Sequence, residues 1–160
     1  TAQPDDGSNS NTLYCWGSDS HSQLGNSVVT NHQHMTNTRA AKVARIALDV
    51  PEQDINGQPT GDLLVISWGG TYGACTTAVE QLQTEGHAVS HVHLRYINPL
   101  PRELGQIIAG FKKVVVPELN MGQLLTVIRA TYVVDAIGFN KVEGKPFSVR
   151  EVVQFFKQYL

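Results

Sequence analysis

The chain has 160 residues, 41% of them hydrophobic and 16% charged, with a net charge of −2. That length and composition suit one globular domain with some extra chain, and the slightly acidic balance lacks the basic patch that nucleic-acid binders carry. No apolar stretch reaches the roughly 20 residues of a membrane span. Nor does the N-terminal Thr1-Ala2-Gln3-Pro4-Asp5-Asp6-Gly7 show the basic and apolar segments of a signal peptide. It also lacks an initiator Met, as a fragment or processed product would. The two cysteines, Cys15 and Cys75, read as free thiols of a reducing, cytoplasmic setting. Two thiols are also too few for an iron–sulfur cluster, which needs about four.

In chain order, residues 1–34 are polar, rich in Ser, Asn, Gly, Thr and His, and without a period. They read as an irregular arm anchored by Leu13, Tyr14 and Trp16. Residues 35–60 read as a helix and a linker. The helix is expected from about Thr36 to Val50, with Val43, Ile46, Ala47 and Val50 on one face. Pro51 stops it, and Asn56-Gly57 and Pro59 mark the linker.

Residues 61–160 carry a βα rhythm. The near-continuous apolar run Asp62–Trp68 suits a strand covered on both faces. Gly69-Gly70-Thr71-Tyr72-Gly73 turns it into a helix over 72–85, with Ala74, Ala78, Val79 and Leu82 inward. A second strand is expected over 88–95, where Val89, His91, His93 and Arg95 share a face. Pro101 opens a third helix ending near Gly110. A third strand spans 113–117. Asn120 is placed to cap the next helix, with Gln123 in the reciprocal position. A short fourth strand is expected over 133–136, then a turn-rich loop over 138–146. Ser148-Val149-Arg150-Glu151 opens the last helix as a capping box. Strand–helix–strand units of this length predict parallel pairing with right-handed crossovers. The expected fold is therefore α/β: a three-layer α/β/α sandwich on a mostly parallel sheet of four to five strands.

Chemistry is expected where the strands end, because ligands of open α/β sheets bind outside the carboxyl ends. The glycine loop after the first strand reads first as a tight, closely packed βα turn; the other reading is contact with a ligand or neighbouring domain, its glycines letting backbone N–H groups approach an anion at the helix N-terminus. It is neither a dinucleotide fingerprint nor a P-loop. The histidine pairs His32/His34 and His91/His93 lack further metal ligands at matching spacing and read as exposed or hydrogen-bonded side chains. Glu118 ends a strand directly before a helix, where the positive helix terminus favours a carboxylate in a structural role. No nucleophile–base constellation and no paired carboxylates can be assembled, so no catalytic residue is assigned.

Several segments then match one family in order and spacing. Residues 61–74, GDLLVISWGGTYGA, resemble the "GDLLVxGWGSTYGA" segment of the 2-oxoacid:ferredoxin oxidoreductase α subunit. His93–Pro101 is similar to its "HLRYLNPLP", and 116–124 to its "VPELNxGQL". Residues 140–147 resemble "NKVxGxPF", and Asn31, His32, Met35, Arg39, Lys42 and Val43 fit "NHxxMxxxRxxKV". The match runs from about Gly17 to Leu160 and favours the 2-oxoglutarate branch over the pyruvate branch. Gly70 departs from the family's frequent Ser.

The resemblance implies a transketolase C-terminal-like domain. It also implies an enzyme that decarboxylates a 2-oxoacid on thiamine diphosphate and magnesium, reduces ferredoxin through an iron–sulfur cluster, and forms an acyl-CoA, here succinyl-CoA. The cofactor-binding motifs of that family are absent from these 160 residues, so this chain alone is expected to bind none of those cofactors. Its implied partners are the other domains of its own α subunit, a β subunit, and, at the level of the complex, ferredoxin and CoA. Gly70, Thr71, Tyr72, Asn98, Glu118 and Asn120 are the expected active-site-wall or interface loops. Two other readings stand beside this one: a non-catalytic assembly module, and the equivalent domain of another thiamine enzyme such as a transketolase.

Overall fold

The computed structural model describes residues 28–160. The proposed anchors Leu13, Tyr14 and Trp16, and Cys15, lie outside the described residues. Two compact units divide between Ala44 and Arg45. Helix α1 spans Val28–Arg45, all but its last residue in the first, starting well before the expected Thr36, inside the stretch read as an irregular arm. Nothing between Val28 and Arg45 is proline or glycine, so no residue there interrupts a helix. It also ends earlier than expected. A tight 3-10 turn at Ile46–Leu48 follows, because Pro51 disfavours helical geometry in the residue before it. Of the stripe expected along this helix, only Val50 is buried, and Val43 and Ile46 are exposed.

In the unit 45–160, four parallel strands form one sheet in the order β2-β1-β3-β4. Strand β1 (Gly61–Trp68) is central, between β2 (Val89–Leu94) and β3 (Phe111–Glu118). Strand β4 (Ile137–Asn140) adds to β3. Because side chains alternate across a strand, Leu63 and Val65 face one layer and Leu64 and Ile66 the other, all fully buried. Helix α2 (Tyr72–Thr84) and helix α5 (Val149–Phe156) cover the first face with Cys75, Val79, Leu82, Val152 and Phe156. Helix α3 (Leu104–Ala109) and helix α4 (Gln123–Tyr132) cover the second with Leu104, Ile107, Ile108, Leu124 and Ile128. The three-layer α/β/α sandwich is thus the observed fold.

The fourth strand lies four residues beyond the expected Val133–Ala136. Val133 ends α4 in the left-handed conformation at φ 52°, with its side chain exposed. The Arg129 guanidinium then donates two hydrogen bonds, 2.9 and 2.6 Å, to the Ala136 carbonyl and holds this stretch as a loop. Pairing with β3 starts only at Ile137. Gly138 belongs to that strand because the Leu125 side chain fills the space beside it; a Cβ there would lie 2.6 Å from Leu125 Cδ2. Ser148 and Glu151 form the expected reciprocal cap on α5. The Lys141 ammonium, ahead of Ser148, holds the Glu151 carboxyl down at about 2.

The stretch read as a linker is a strap. Asn56 and His91 exchange two backbone hydrogen bonds of 2.9 Å along the outer edge of β2. Gln53 Nε2 donates to the His93 carbonyl at 3.2 Å, and Ser90 Oγ to the Gln58 carbonyl at 2.8 Å. A bare strand edge is a template for aggregation, and the strap blunts this one.

Candidate functional site

Two polar clusters occupy the carboxyl end of the sheet, one on each face. On the α3/α4 face, the last residue of β3 is Glu118, which is fully buried. Its Oε1 accepts from Trp68 Nε1 at 3.1 Å, Asn120 Nδ2 at 3.1 Å and Leu124 N at 3.0 Å. Its Oε2 accepts from Leu125 N at 2.9 Å. A helix leaves its first N–H groups without intrahelical partners, and here a carboxylate from the preceding strand takes two of those of α4. Asn120 Oδ1 accepts from Gly122 N at 2.7 Å and Gln123 N at 3.3 Å. Asn120 therefore caps the turn ahead of α4, while the residue that enters the helix is Gly122, at φ 91°. Gln123 is the first residue of the helix rather than the third after its cap, and the Glu118 carboxylate serves the next two N–H groups.

The loop after β1 is a single 3-10 turn, Gly69–Thr71. Thr71 is buried and closes the turn on itself: its hydroxyl donates to the Trp68 carbonyl at 2.8 Å and accepts from Trp68 N at 3.3 Å. Behind it, burial pushes the Cys75 thiol up to about 12, opposed in part by the neighbouring Thr71 hydroxyl. Gly70 is exposed, and a Cβ on it would meet only Leu119 Cδ1, at 3.9 Å. The glycine turn and the Glu118–Asn120 loop are thus neighbours.

On the α2 face, the register of β1 and β2 sets Ser67 opposite His93, with His91 beside Val65. Ser67 Oγ sits between two imidazoles, 2.6 Å from His91 Nε2 and 2.8 Å from His93 Nδ1. Thr76 Oγ1, one turn into α2, reaches His91 Nδ1 at 3.3 Å. Burial, and then the neighbouring His93, lowers His91 to about 4, so its ring is neutral near pH 7. His93 is also held below the usual histidine range, by partial burial and then by Arg95. The exposed Tyr72 ring meets His93 edge-on, with centroids 4.8 Å apart. Tyr72, Thr76, His91 and His93 floor a cleft of about 200 Å³ whose outer wall is the strap, with Ser67 buried behind the two imidazoles.

Of the six expected residues, Gly70, Thr71 and Tyr72 share one turn, and Glu118 and Asn120 are bonded to each other. Asn98 stands apart, exposed in the loop after β2 and joined to Pro99 by a cis peptide. Thr71 and Glu118 are closed into the fold, whereas Gly70, Tyr72 and Asn98 face outward. Sequence reasoning missed Ser67, Trp68, Thr76 and Arg95. Only the alternation of His91 and His93 hinted at a shared partner. His91 and His93 are hydrogen-bonded strand histidines, and among the described residues no three His, Cys, Asp or Glu side chains gather to hold a metal ion.

Comparison with known proteins gives a consistent family. Residues 61–152 match the model of pyruvate:ferredoxin oxidoreductase core domain II. The chain is 42% identical over 133 residues to the 2-oxoglutarate oxidoreductase subunit KorA of Mycobacterium tuberculosis, covering 82% of this chain and 20% of that protein. The chain thus spans about a fifth of the length of such curated relatives. A solved structure of the 2-oxoglutarate:ferredoxin oxidoreductase from Magnetococcus marinus, with 2-oxoglutarate, coenzyme A and succinyl-CoA bound, superposes with a TM-score of 0.78 at 29% identity. That match covers 84% of this chain and 24% of the other. A split-gene transketolase, solved as an inactive β4 tetramer, shares the fold at a TM-score of 0.51 and 21% identity, over 67% of this chain and 41% of that one. With sheet order, layers and sequence in agreement, the chain belongs to the pyruvate:ferredoxin oxidoreductase core domain II family.

Proposed function

We propose that this chain serves as a domain of the α subunit of a thiamine-diphosphate-dependent 2-oxoacid:ferredoxin oxidoreductase of the 2-oxoglutarate branch. In the full complex that enzyme converts a 2-oxoacid and CoA into an acyl-CoA and CO2 and passes the electrons to ferredoxin. The observation that carries the reading is the 42% identity to the mycobacterial 2-oxoglutarate oxidoreductase subunit over most of this chain.

Thiamine diphosphate supplies the decarboxylation chemistry in such enzymes, and the protein supplies position and electrostatics. The donor set of the described residues does not fit the cofactors themselves. Both oxygens of Glu118 are engaged, and the Cys75 thiol is buried. In this reading, magnesium, diphosphate and cluster are held by other domains or by the β subunit. The role left to this chain is a wall at the strand ends. The Glu118 cluster holds the loops still, while Gly70, Tyr72 and Asn98 face the neighbouring part of the enzyme.

Tyr72→Ala and Asn98→Ala in the complete oxidoreductase test this role. Turnover with 2-oxoglutarate and CoA is expected to fall on the order of tenfold or more, with the subunits still co-eluting in gel filtration. Loss of assembly with unchanged turnover per assembled complex would instead make these loops a docking module. The isolated chain is expected to oxidise no 2-oxoacid and to bind no thiamine diphosphate tightly, and turnover by it would contradict the assignment.

A further inference from the structure

We propose that the cleft between the strap and the Ser67–His91–His93 cluster binds a small zwitterion of the α-amino-acid class. Its carboxylate would lie on the Arg95 guanidinium and the His93 ring, and its ammonium on the Glu52 and Asp54 side. This goes beyond the proposed function and does not depend on it. At about 200 Å³ the cleft is smaller than the roughly 300–1,000 Å³ that drug-sized ligands occupy, so it takes a molecule near the size of one amino acid. Its rim carries both charge signs: Glu52 and Asp54 from the strap, and Arg95 from the end of β2. A simple anion would meet the two carboxylates, and a simple cation would meet Arg95. A zwitterion satisfies both.

The floor is built to donate or accept. Ser67 has one proton to share between two rings. When Ser67 donates to His93 Nδ1, the His93 Nε2 carries a proton that it can give to a carboxylate; when His93 Nδ1 donates to Ser67, Nε2 is an acceptor. A ligand carboxylate selects the first arrangement and gains a charge-assisted hydrogen bond beside an arginine. Tyr72, packed edge-on against His93, and Tyr96 add aromatic walls on the same cleft.

The test is an NMR titration of the 160-residue chain with L-glutamine and two analogues of the same skeleton, one lacking the α-amino group and one lacking the α-carboxyl. Saturable shifts at His93 and Tyr72 with L-glutamine are expected, with each analogue at least about tenfold weaker. The exposed substitutions Arg95→Gln and Asp54→Asn, which leave the core untouched, are each expected to weaken binding by a similar factor. No shift with L-glutamine, equal binding of either analogue, or shifts confined to another surface would overturn the proposal.

Discussion

The two polar clusters at the carboxyl end of the sheet are built from similar materials and do opposite things. The Glu118 cluster is closed. A fully buried carboxylate accepts four protein donors and locks the end of β3, the β1 tryptophan and the start of α4 together. The Ser67 cluster is open. Its hydroxyl ties two imidazoles together, but both border a cleft, and His93 also meets an exposed tyrosine. The lesson is that burial of a charged residue at a strand end does not by itself mark a reactive site. What separates a fastener from a binding surface is whether every polar atom is already spoken for.

The sharpest way to break this contrast is Glu118→Ala. It strands the Trp68 indole N–H, the Asn120 amide and two helix N–H groups, each costing about 1–3 kcal/mol when left unsatisfied in the interior. A loss of about 3 kcal/mol or more is expected in urea unfolding, and a loss under about 1 kcal/mol would show that the cluster is not closed. Ser67→Ala comes next, with a loss of about 1–3 kcal/mol from the unsatisfied His91 ring.

The pH dependence follows from His91. Its ring is lowered from 6.5 to about 4 in the folded chain. The unfolded chain thus binds the extra proton between those values, and stability falls as pH drops through that window, by at most about 1.4 kcal/mol per pH unit. Above 6.5 this group contributes no slope. Unfolding measured at pH 7 and at pH 5 is expected to show the difference for the natural chain and to lose His91's part of it in His91→Gln, with the depressed His93 supplying a remainder. Smallest of all is Tyr72→Phe. The ring is exposed and retains its contact with His93, so stability is expected to stay within about 0.5 kcal/mol.

Much of the fold was legible because its signals are local. The unbroken apolar run before Gly69 is a strand buried on both faces, and Ser148 with Glu151 caps a helix. The misplacements came from non-local competition. Val133 and Val134 read as strand, yet Arg129 clamps the Ala136 carbonyl and the ladder starts at Ile137. Gly138 read as turn, yet it is a strand glycine making room for Leu125. For the site, Glu118 and Asn120 were legible as helix-start chemistry. Ser67 was not, because a serine inside an apolar run carries no mark of the two histidines that the β1–β2 register brings to it. The position of α1 was missed because polar residues without a period can still form a helix when nothing in them breaks one.

The most direct test of the central claim, that this chain works as one domain of a larger α subunit, is the native size of its gene product. An antibody against residues 61–160 would be used to probe extract of the source cells and the material that co-purifies. A band the size of a multi-domain α subunit, in a complex with a smaller β subunit, is expected. A band at 17.5 kDa with no such partner would contradict that claim.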